Sequence, residues 1–271
     1  MAALTALLLT ACTSIERAAL PAPEPLGADW LAFAEPPGDQ VDHGAWDAFL
    51  AKYHTVGADG IARLTYARVT PDDRTLLARY IATLARVTPS DLSRATALAY
   101  WINLYNALTV SLVLEAYPVD SIREITDGPL SIGPWSRPLV TMNGVPLSLN
   151  DIEHRIVRPA FNEPRIHYAL NCAALGCPNL KSTSWRGASL DADLTRAEEA
   201  YLSDPRGISI APDGSLLASK IFAWFREDFG PNEAAVLQYI RDNAPPSSSS
   251  ALVGRNRISR YQYDWDLNDG S

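Results

Sequence analysis

The chain is poor in the residues that most often carry chemistry. Its 271 residues include four histidines, three cysteines and two methionines. The cysteines, Cys12, Cys172 and Cys177, form no Cys-x-x-Cys pair, and their spacing is not that of common zinc motifs. The sequence therefore predicts no metal site and no cofactor.

Positive charge is also scarce. The chain has 23 lysines and arginines against 31 acidic residues, which gives a formal net charge of −8 and an isoelectric point of about 5.0. An acidic protein repels phosphate backbones, so general nucleic-acid binding is excluded. Hydrophobic residues make up 47% of the chain, which is enough for a globular core.

The N-terminal segment has no apolar run long enough to span a bilayer. Leu4–Leu9 is far shorter than the roughly 20 residues that a span needs, and is typical of an export signal. Leu9-Thr10-Ala11-Cys12 resembles a bacterial lipobox, which predicts cleavage before Cys12 and lipid on its thiol. A cleaved secretory signal with an incidental cysteine is the alternative.

These patterns predict the domain organisation. Residues 1–12 are a signal peptide and residues 13–40 an Ala/Pro-rich tether. The protein is therefore expected outside the cytoplasm, in the bacterial cell envelope or periplasm, held to the membrane by its lipid. Residues 41–89 form a helical N-terminal part, and residues 90–271 form the core, which includes the C-terminal YDWDLN segment. Helical patterns and two hairpin signals, VTMNGVPL and the region around Pro212-Asp213-Gly214, predict an α+β class: one mainly helical domain.

The most hydrophobic segment lies near the start of the core. Residues 98–116 are long enough to approach a membrane span, but Asn103 and Asn106 interrupt them. We predict the buried central helix of the domain. The two amides share one helix face, where they either bind loop backbone or orient a catalytic group.

A second helix carries an unusual carboxylate. Ser148–Asp151 resembles a capping box, and the following residues form an apolar face with Glu153 in its middle and His154 at its edge. On the same helical wheel Arg155 and Arg158 lie opposite. A carboxyl group on an inner face must be paired, hydrogen-bonded or protonated.

Two thiols follow in His167–Leu180, HYALNCAALGCPNL. Cys172 and Cys177 are either a disulfide, a catalytic thiol with a neighbour, metal ligands together with His154 and His167, or buried small residues. In the catalytic alternative, residues 171–174 begin a helix whose amides surround Cys172. The remaining histidines, His43 and His54, are predicted at the surface or at helix ends.

Several segments together resemble the family of domains of unknown function numbered 547 (DUF547). The segments are YWINLYNAL (100–108), LNDIEH (149–154), HYALNCA (167–173), CP (177–178), SKIF (219–222), DF (228–229) and YDWDLN (263–268). The resemblance covers residues 90–268. It implies an exported bacterial protein and a common site for the polar motif residues, and it implies no settled activity.

The preferred hypothesis is a thiol-dependent hydrolase or acyl or amide transferase acting on an unknown substrate. Cys172 is the nucleophile, His154 or His167 the base, and Glu153, Asn103 or Asn106 orients the base. The alternative is a non-catalytic envelope module that binds another envelope protein, with a structural Cys172–Cys177 disulfide. A thiol–disulfide redox protein is the weaker alternative.

Overall fold

The protein is described by a computed structural model that covers residues 21, 24–34, 41–126, 128 and 133–271, without the side chain of residue 251. The predicted signal peptide and Cys12 lie outside these residues. The described α-helices are α1 Gly44–Tyr53, α2 Pro71–Leu84, α3 Arg94–Ala116, α4 Arg158–Phe161, α5 Leu190–Ser203, α6 Ile221–Trp224, α7 Arg226–Phe229, α8 Glu233–Asn243 and α9 Pro246–Ser249. The strands are β1 His54–Val56, β2 Ala62–Leu64, β3 Val140–Met142, β4 Val145–Leu147, β5 Ile208–Ile210, β6 Leu216–Ser219 and β7 Arg260–Gln262.

Helix α3 runs through the centre of the domain. It begins at Arg94, where the side chain of Ser93 accepts the backbone N–H of Thr96 and so satisfies one of the free donors of the first turn. Within the described residues it is the one helix long and apolar enough to cross a bilayer, and 94% of that apolar window is buried inside the protein. The predicted buried central helix and the mixed α+β class are confirmed.

The strands form three small antiparallel or mixed sheets. Both predicted hairpins are confirmed: β3 pairs with β4, and β5 pairs with β6. Between β3 and β4, Asn143 and Gly144 have φ angles of 49° and 77°, which is the left-handed pair that a tight two-residue hairpin requires. Strand β7 adds to β6 in parallel, and in this way anchors the C-terminal segment.

The helix predicted after Ser148 is wider than an α-helix. Residues Asp151–Val157 form a π-helix, in which the backbone N–H of Arg158 bonds to the carbonyl of Glu153, five residues earlier. Pro159 has no N–H to give to the carbonyl of Arg155. That carbonyl instead accepts the backbone N–H of Leu26, at 3.0 Å.

The π-helix corrects one prediction from the helical wheel. Arg158 was placed on the polar side, whereas its residue is only 5% exposed. Because the wheel assumes α-helical periodicity, an extra residue in the turn rotates every later side chain toward a different face. Arg158 therefore points into the domain.

One further prediction is wrong. Residues 171–174 form no helix, and Ala173 has a left-handed φ of 60°. His43 immediately precedes α1 and His54 immediately follows it, so both lie at helix ends, one of the two places predicted for them. His43 is also buried.

Part of the predicted tether contacts the domain. The ring centroid of Trp30 lies 6.1 Å from that of Trp101 in α3, and the ring of Phe33 lies 5.0 Å from that of Phe161.

The C-terminal segment docks on the body of the domain, to whose core the sequence assigned it. It runs along the loop that carries the two cysteines: the backbone N–H of Leu175 bonds to Asp266, and that of Gly176 to Asp264. In return, the N–H of Asn268 bonds to Ala173. A Cβ at position 176 would lie 2.7 Å from the backbone of Asp264, so this close approach requires glycine.

Candidate functional site

The side-chain amide of Asn106 in the central helix holds the loop that carries the two cysteines, residues 169–178. Asn106 donates to the carbonyl of Ala169 at 3.0 Å and accepts the N–H of Asn171 at 2.8 Å. Asn171 in turn donates to the carbonyl of Pro178 at 2.9 Å and accepts the N–H of Ala173. These bonds close the loop, so that two cysteines five residues apart in sequence are brought together.

The two thiols are in direct contact. Their Sγ atoms lie 2.7 Å apart, and both cysteines are free. The Tyr263 hydroxyl reaches both sulfurs, at 3.2 Å from Cys172 and 3.0 Å from Cys177. The backbone N–H of Cys172 also donates to the Cys177 sulfur, at 3.1 Å. Cys177 is buried and Cys172 is half-buried.

These contacts favour ionisation of Cys177 over that of Cys172. Burial by itself would raise the pKa of Cys177, but hydrogen bonds from the Cys172 thiol and the Tyr263 hydroxyl hold that pKa below its ordinary value. The pKa of Cys172 is raised well above its ordinary value, first because its thiol is hydrogen-bonded to Cys177 and then because it is buried. The first proton of the pair therefore leaves from Cys177.

Both thiols line a pocket with a cavity volume of about 130 Å³. Its walls are mostly aromatic, formed by Trp135, Trp224, Phe225, Tyr263 and Trp265. Its polar side chains are Tyr105, Arg123, Asn150, Glu153, His154 and His167. Such a combination of apolar walls and a few convergent polar groups is typical of small-ligand sites.

His167 is held between two carboxyl groups. Its Nε2 lies 2.7 Å from an oxygen of Asp228, and its Nδ1 lies 3.7 Å from an oxygen of Glu153. The second oxygen of Glu153 accepts the Tyr105 hydroxyl at 3.1 Å. The His167 ring stacks on Phe225, with centroids 4.0 Å apart. Glu153 thus meets the requirement that an inward carboxyl group find partners.

A buried arginine, Arg158, binds the carboxylate of Asp228, the partner of His167 Nε2. The side chain of Arg158 is 2% exposed and bonds both oxygens of Asp228, at 2.7 and 2.8 Å. Burial works against the charge of Asp228, but hydrogen bonds from His167 and Arg158 hold the pKa of its carboxyl well below the usual range. Bidentate pairing of this kind offsets the cost of burying both charges.

Arg158 also determines the protonation of His154. Its Nη1 lies 3.1 Å from His154 Nδ1, and because a guanidinium can only donate, Nδ1 is the acceptor. Burial, together with the charge of Arg158, lowers the pKa of His154. The ring is therefore neutral and carries its proton on Nε2, and the residue lines the pocket.

The structure brings together five of the residues that the sequence singled out. Glu153, His154, His167, Cys172 and Cys177 all line the pocket. Among the described residues, the side-chain hydrogen bonds of Cys172 go to Cys177 and Tyr263, and none joins it to a histidine. Within the same residues, no group of His, Cys, Asp and Glu side chains could hold a metal ion.

The two remaining candidates, Asn103 and Asn106, do not line the pocket. Asn103 exchanges two hydrogen bonds with the backbone of Trp185, both at 2.9 Å, and contacts the buried His43. Burial lowers the pKa of His43 to about 4, so that ring is neutral in the folded protein at neutral pH. Asn103 and Asn106 thus bind loop backbone, which was one of the two predicted roles.

Sequence reasoning missed four residues of the site: Tyr105, Arg158, Asp228 and Tyr263. Tyr105, Asp228 and Tyr263 all stand in segments that carry the family resemblance, which was the available signal. Their roles depend on partners that are distant in sequence: Arg158 and Asp228, for example, are 70 residues apart. No local pattern marks such a pair.

A comparison with protein families gives a match over part of the chain. Residues 89–202 match the family described as "Protein of unknown function, DUF547". This match supports the resemblance to the DUF547 family over the central helix, the π-helix and the cysteine loop. Asp228 and Tyr263 lie beyond the matched residues, so their place in the family rests on the resemblance of single segments. No curated protein and no solved structure matches the chain.

Proposed function

We propose that this protein performs thiol–disulfide exchange, with Cys172 and Cys177 cycling between a dithiol and a disulfide. The contact of the two sulfurs at 2.7 Å carries the proposal, because a small shift converts it into a bond of about 2.05 Å. The spacing of five residues, unlike Cys-x-x-Cys, depends on the reversal of the loop at Ala173.

The hydrogen bonds around Cys177 favour the reduced form. When Cys177 is ionised, its sulfur accepts hydrogen bonds from the Tyr263 hydroxyl, the Cys172 thiol and the Cys172 N–H, and each of these stabilises the thiolate. Stabilising the reduced form makes the disulfide a stronger oxidant. The pair therefore oxidises substrate thiols rather than reducing substrate disulfides.

The difference in exposure between the two cysteines determines which sulfur a substrate attacks first. A substrate thiolate attacks the half-buried Cys172 of the disulfide, and Cys177 leaves as the stabilised thiolate. A second substrate thiolate then attacks the substrate sulfur of the mixed disulfide and releases Cys172, which takes up a proton. Two substrate thiols become a disulfide and the cysteine pair gains two electrons. A small-molecule disulfide restores it.

A redox titration tests this proposal. The full chain with Cys12→Ser is equilibrated in mixtures of reduced and oxidised glutathione, quenched with acid, alkylated and mapped by peptide mass. We expect one reversible two-electron transition above the roughly −300 mV of structural disulfides. Tyr263→Phe removes a donor from Cys177 and should raise the pH at which thiolate absorbance appears. Tyr261→Phe is the matched control and should leave that pH unchanged.

Two results would overturn the proposal. A disulfide that stays oxidised at every ratio of reduced to oxidised glutathione would be a structural disulfide. This result would favour the alternative that the protein is a non-catalytic binding module of the envelope. Two thiols that never become linked would exclude exchange altogether.

A thiol hydrolase or acyl transferase is the second candidate, because His167, which contacts Asp228 and Glu153, lines the same pocket as Cys172. In this case Cys172 is the nucleophile and His167 its base after a rearrangement. Cys177→Ser separates the two candidates: hydrolysis of activated thioesters would survive it, whereas exchange would be lost.

We also propose that the chain is exported and lipid-anchored at Cys12. The lipobox-like Leu9-Thr10-Ala11-Cys12 supports this. In a bacterial host fed a labelled fatty acid, the natural chain should carry label and sediment with membranes, and Cys12→Ser should do neither. Label that persists in Cys12→Ser would contradict the anchor, and secretion of unlabelled natural chain would indicate an ordinary signal peptide.

A further inference from the structure

One donor in the pocket has no partner. Among the described residues, the hydrogen bond of the His154 ring is the one between Nδ1 and Arg158, so the proton on Nε2 has no acceptor within that part of the protein. An acceptor on a ligand in the pocket would supply the hydrogen bond that this N–H lacks. His154 lines that pocket, and its other nitrogen is occupied by Arg158.

The adjacent residue offers an acceptor. One oxygen of Glu153 takes the Tyr105 hydroxyl at 3.1 Å, while the other is 3.7 Å from His167 Nδ1 and so beyond a short hydrogen bond. Glu153 and His154 both line the pocket although they are consecutive in sequence. The π-helical turn that carries them makes this possible, and such turns are frequent at functional sites.

A donor and an acceptor side by side match a neutral amide. A carboxylate ligand would fit poorly because Glu153 is itself an acceptor. A cationic ligand would fit poorly because it would face the N–H donor of His154, whose ring is hydrogen-bonded to the cationic Arg158. An amide offers a carbonyl to His154 Nε2–H and an N–H to Glu153. The aromatic walls then suit a large apolar side chain next to that amide.

We propose that the pocket binds a peptide amide flanked by an aromatic side chain, with the carbonyl on His154 and the N–H on Glu153. This inference rests on the proposed function, since it names polypeptide thiols as its substrates. The bound amide would place a neighbouring cysteine of the polypeptide against Cys172, which lines the same pocket.

Binding is measured apart from redox chemistry. The full chain with all three cysteines replaced by serine is titrated by calorimetry with N-methyl-3-phenylpropanamide and with methyl 3-phenylpropanoate. The ester keeps the ring, the carbonyl and the length of the amide, and it has no N–H at all. We expect the amide to bind about tenfold or more tightly than the ester, because the ester leaves a buried acceptor unpaired.

The histidine is tested in two ways. His154→Phe should weaken amide binding about tenfold or more, because it keeps an aromatic ring and removes the N–H donor. His54→Phe makes the same change outside the pocket, where the ring bonds to Leu180, and should leave binding unchanged. If His154→Phe does not fold, the imidazole N–H signal of His154 in the otherwise natural chain should shift with the amide and stay in place with the ester.

Equal binding of amide and ester, or no binding of either, would overturn this inference. Neither result affects the outcome of the glutathione titration, which depends only on the two thiols. Conversely, amide selectivity in a chain whose natural cysteines prove redox-inactive would keep the amide site and reject the exchange reaction.

Discussion

Asp228→Ala is expected to lower the free energy of unfolding by about 3 to 5 kcal/mol. The substitution leaves the guanidinium of Arg158, 2% exposed, without either of its two short bonds to a carboxylate. It also removes the partner of His167 Nε2. A buried charge that keeps its desolvation cost and loses its counter-ion is among the most destabilising changes in a protein. Urea denaturation followed by circular dichroism measures the loss.

The neighbouring acid provides the control. Glu227 also contacts Arg158, at 3.1 Å, but its side chain is 42% exposed. Water screens that pair, so Glu227→Ala should cost no more than about 1 kcal/mol. Equal losses in the two variants would mean that the bidentate Arg158–Asp228 pair contributes no more than a surface ion pair.

Asn106→Ala is expected to cost about 2 to 5 kcal/mol and to separate the two thiols. The change leaves the carbonyl of Ala169 and the N–H of Asn171 without partners in the interior, and each unpaired buried group costs about 1 to 3 kcal/mol. Because these two bonds hold the start of the cysteine loop, the distance between Cys172 and Cys177 should become variable. Denaturation measures the stability, and the glutathione titration measures the weaker coupling of the thiols.

Asn179 offers a closely matched control on the surface. It also joins two backbone groups, accepting the N–H of Ala62 and donating to the carbonyl of Gly60, each at 2.9 Å. Its side chain is exposed, so water can replace it. Asn179→Ala should therefore cost about 1 kcal/mol or less. A loss of that small size in Asn106→Ala as well would show that the cysteine loop holds its shape without the central helix.

Local patterns predicted the central helix and both hairpins. The apolar length of α3 and the Asn143-Gly144 turn are properties of residues near each other in sequence. The buried amides of α3 were recognised from their polarity alone, and the family match overlaps the same segment. The sequence also singled out both thiols, both histidines and the glutamate of the pocket.

The errors arose where one turn departed from regular geometry. A single π-helical stretch moved Arg158 from the expected surface to the interior, and thereby supplied the partner of Asp228 and the donor to His154. A left-handed Ala173 replaced the expected helix start and turned the loop back. Neither feature has a reliable local signal, because each is stabilised by contacts with distant segments.

By itself, the sequence determined the helix-rich class, the central buried helix and the set of chemically active side chains, since apolar periodicity and residue type are local. Only the tertiary structure decided how they act. It placed Tyr263, 86 residues away, on Cys177, where its hydrogen bond lowers the pKa of that cysteine, while the pKa of Cys172 is raised. It made His154 a donor rather than a base through Arg158. Protonation depends on burial and on the nearest charges and donors, and these are set by folding.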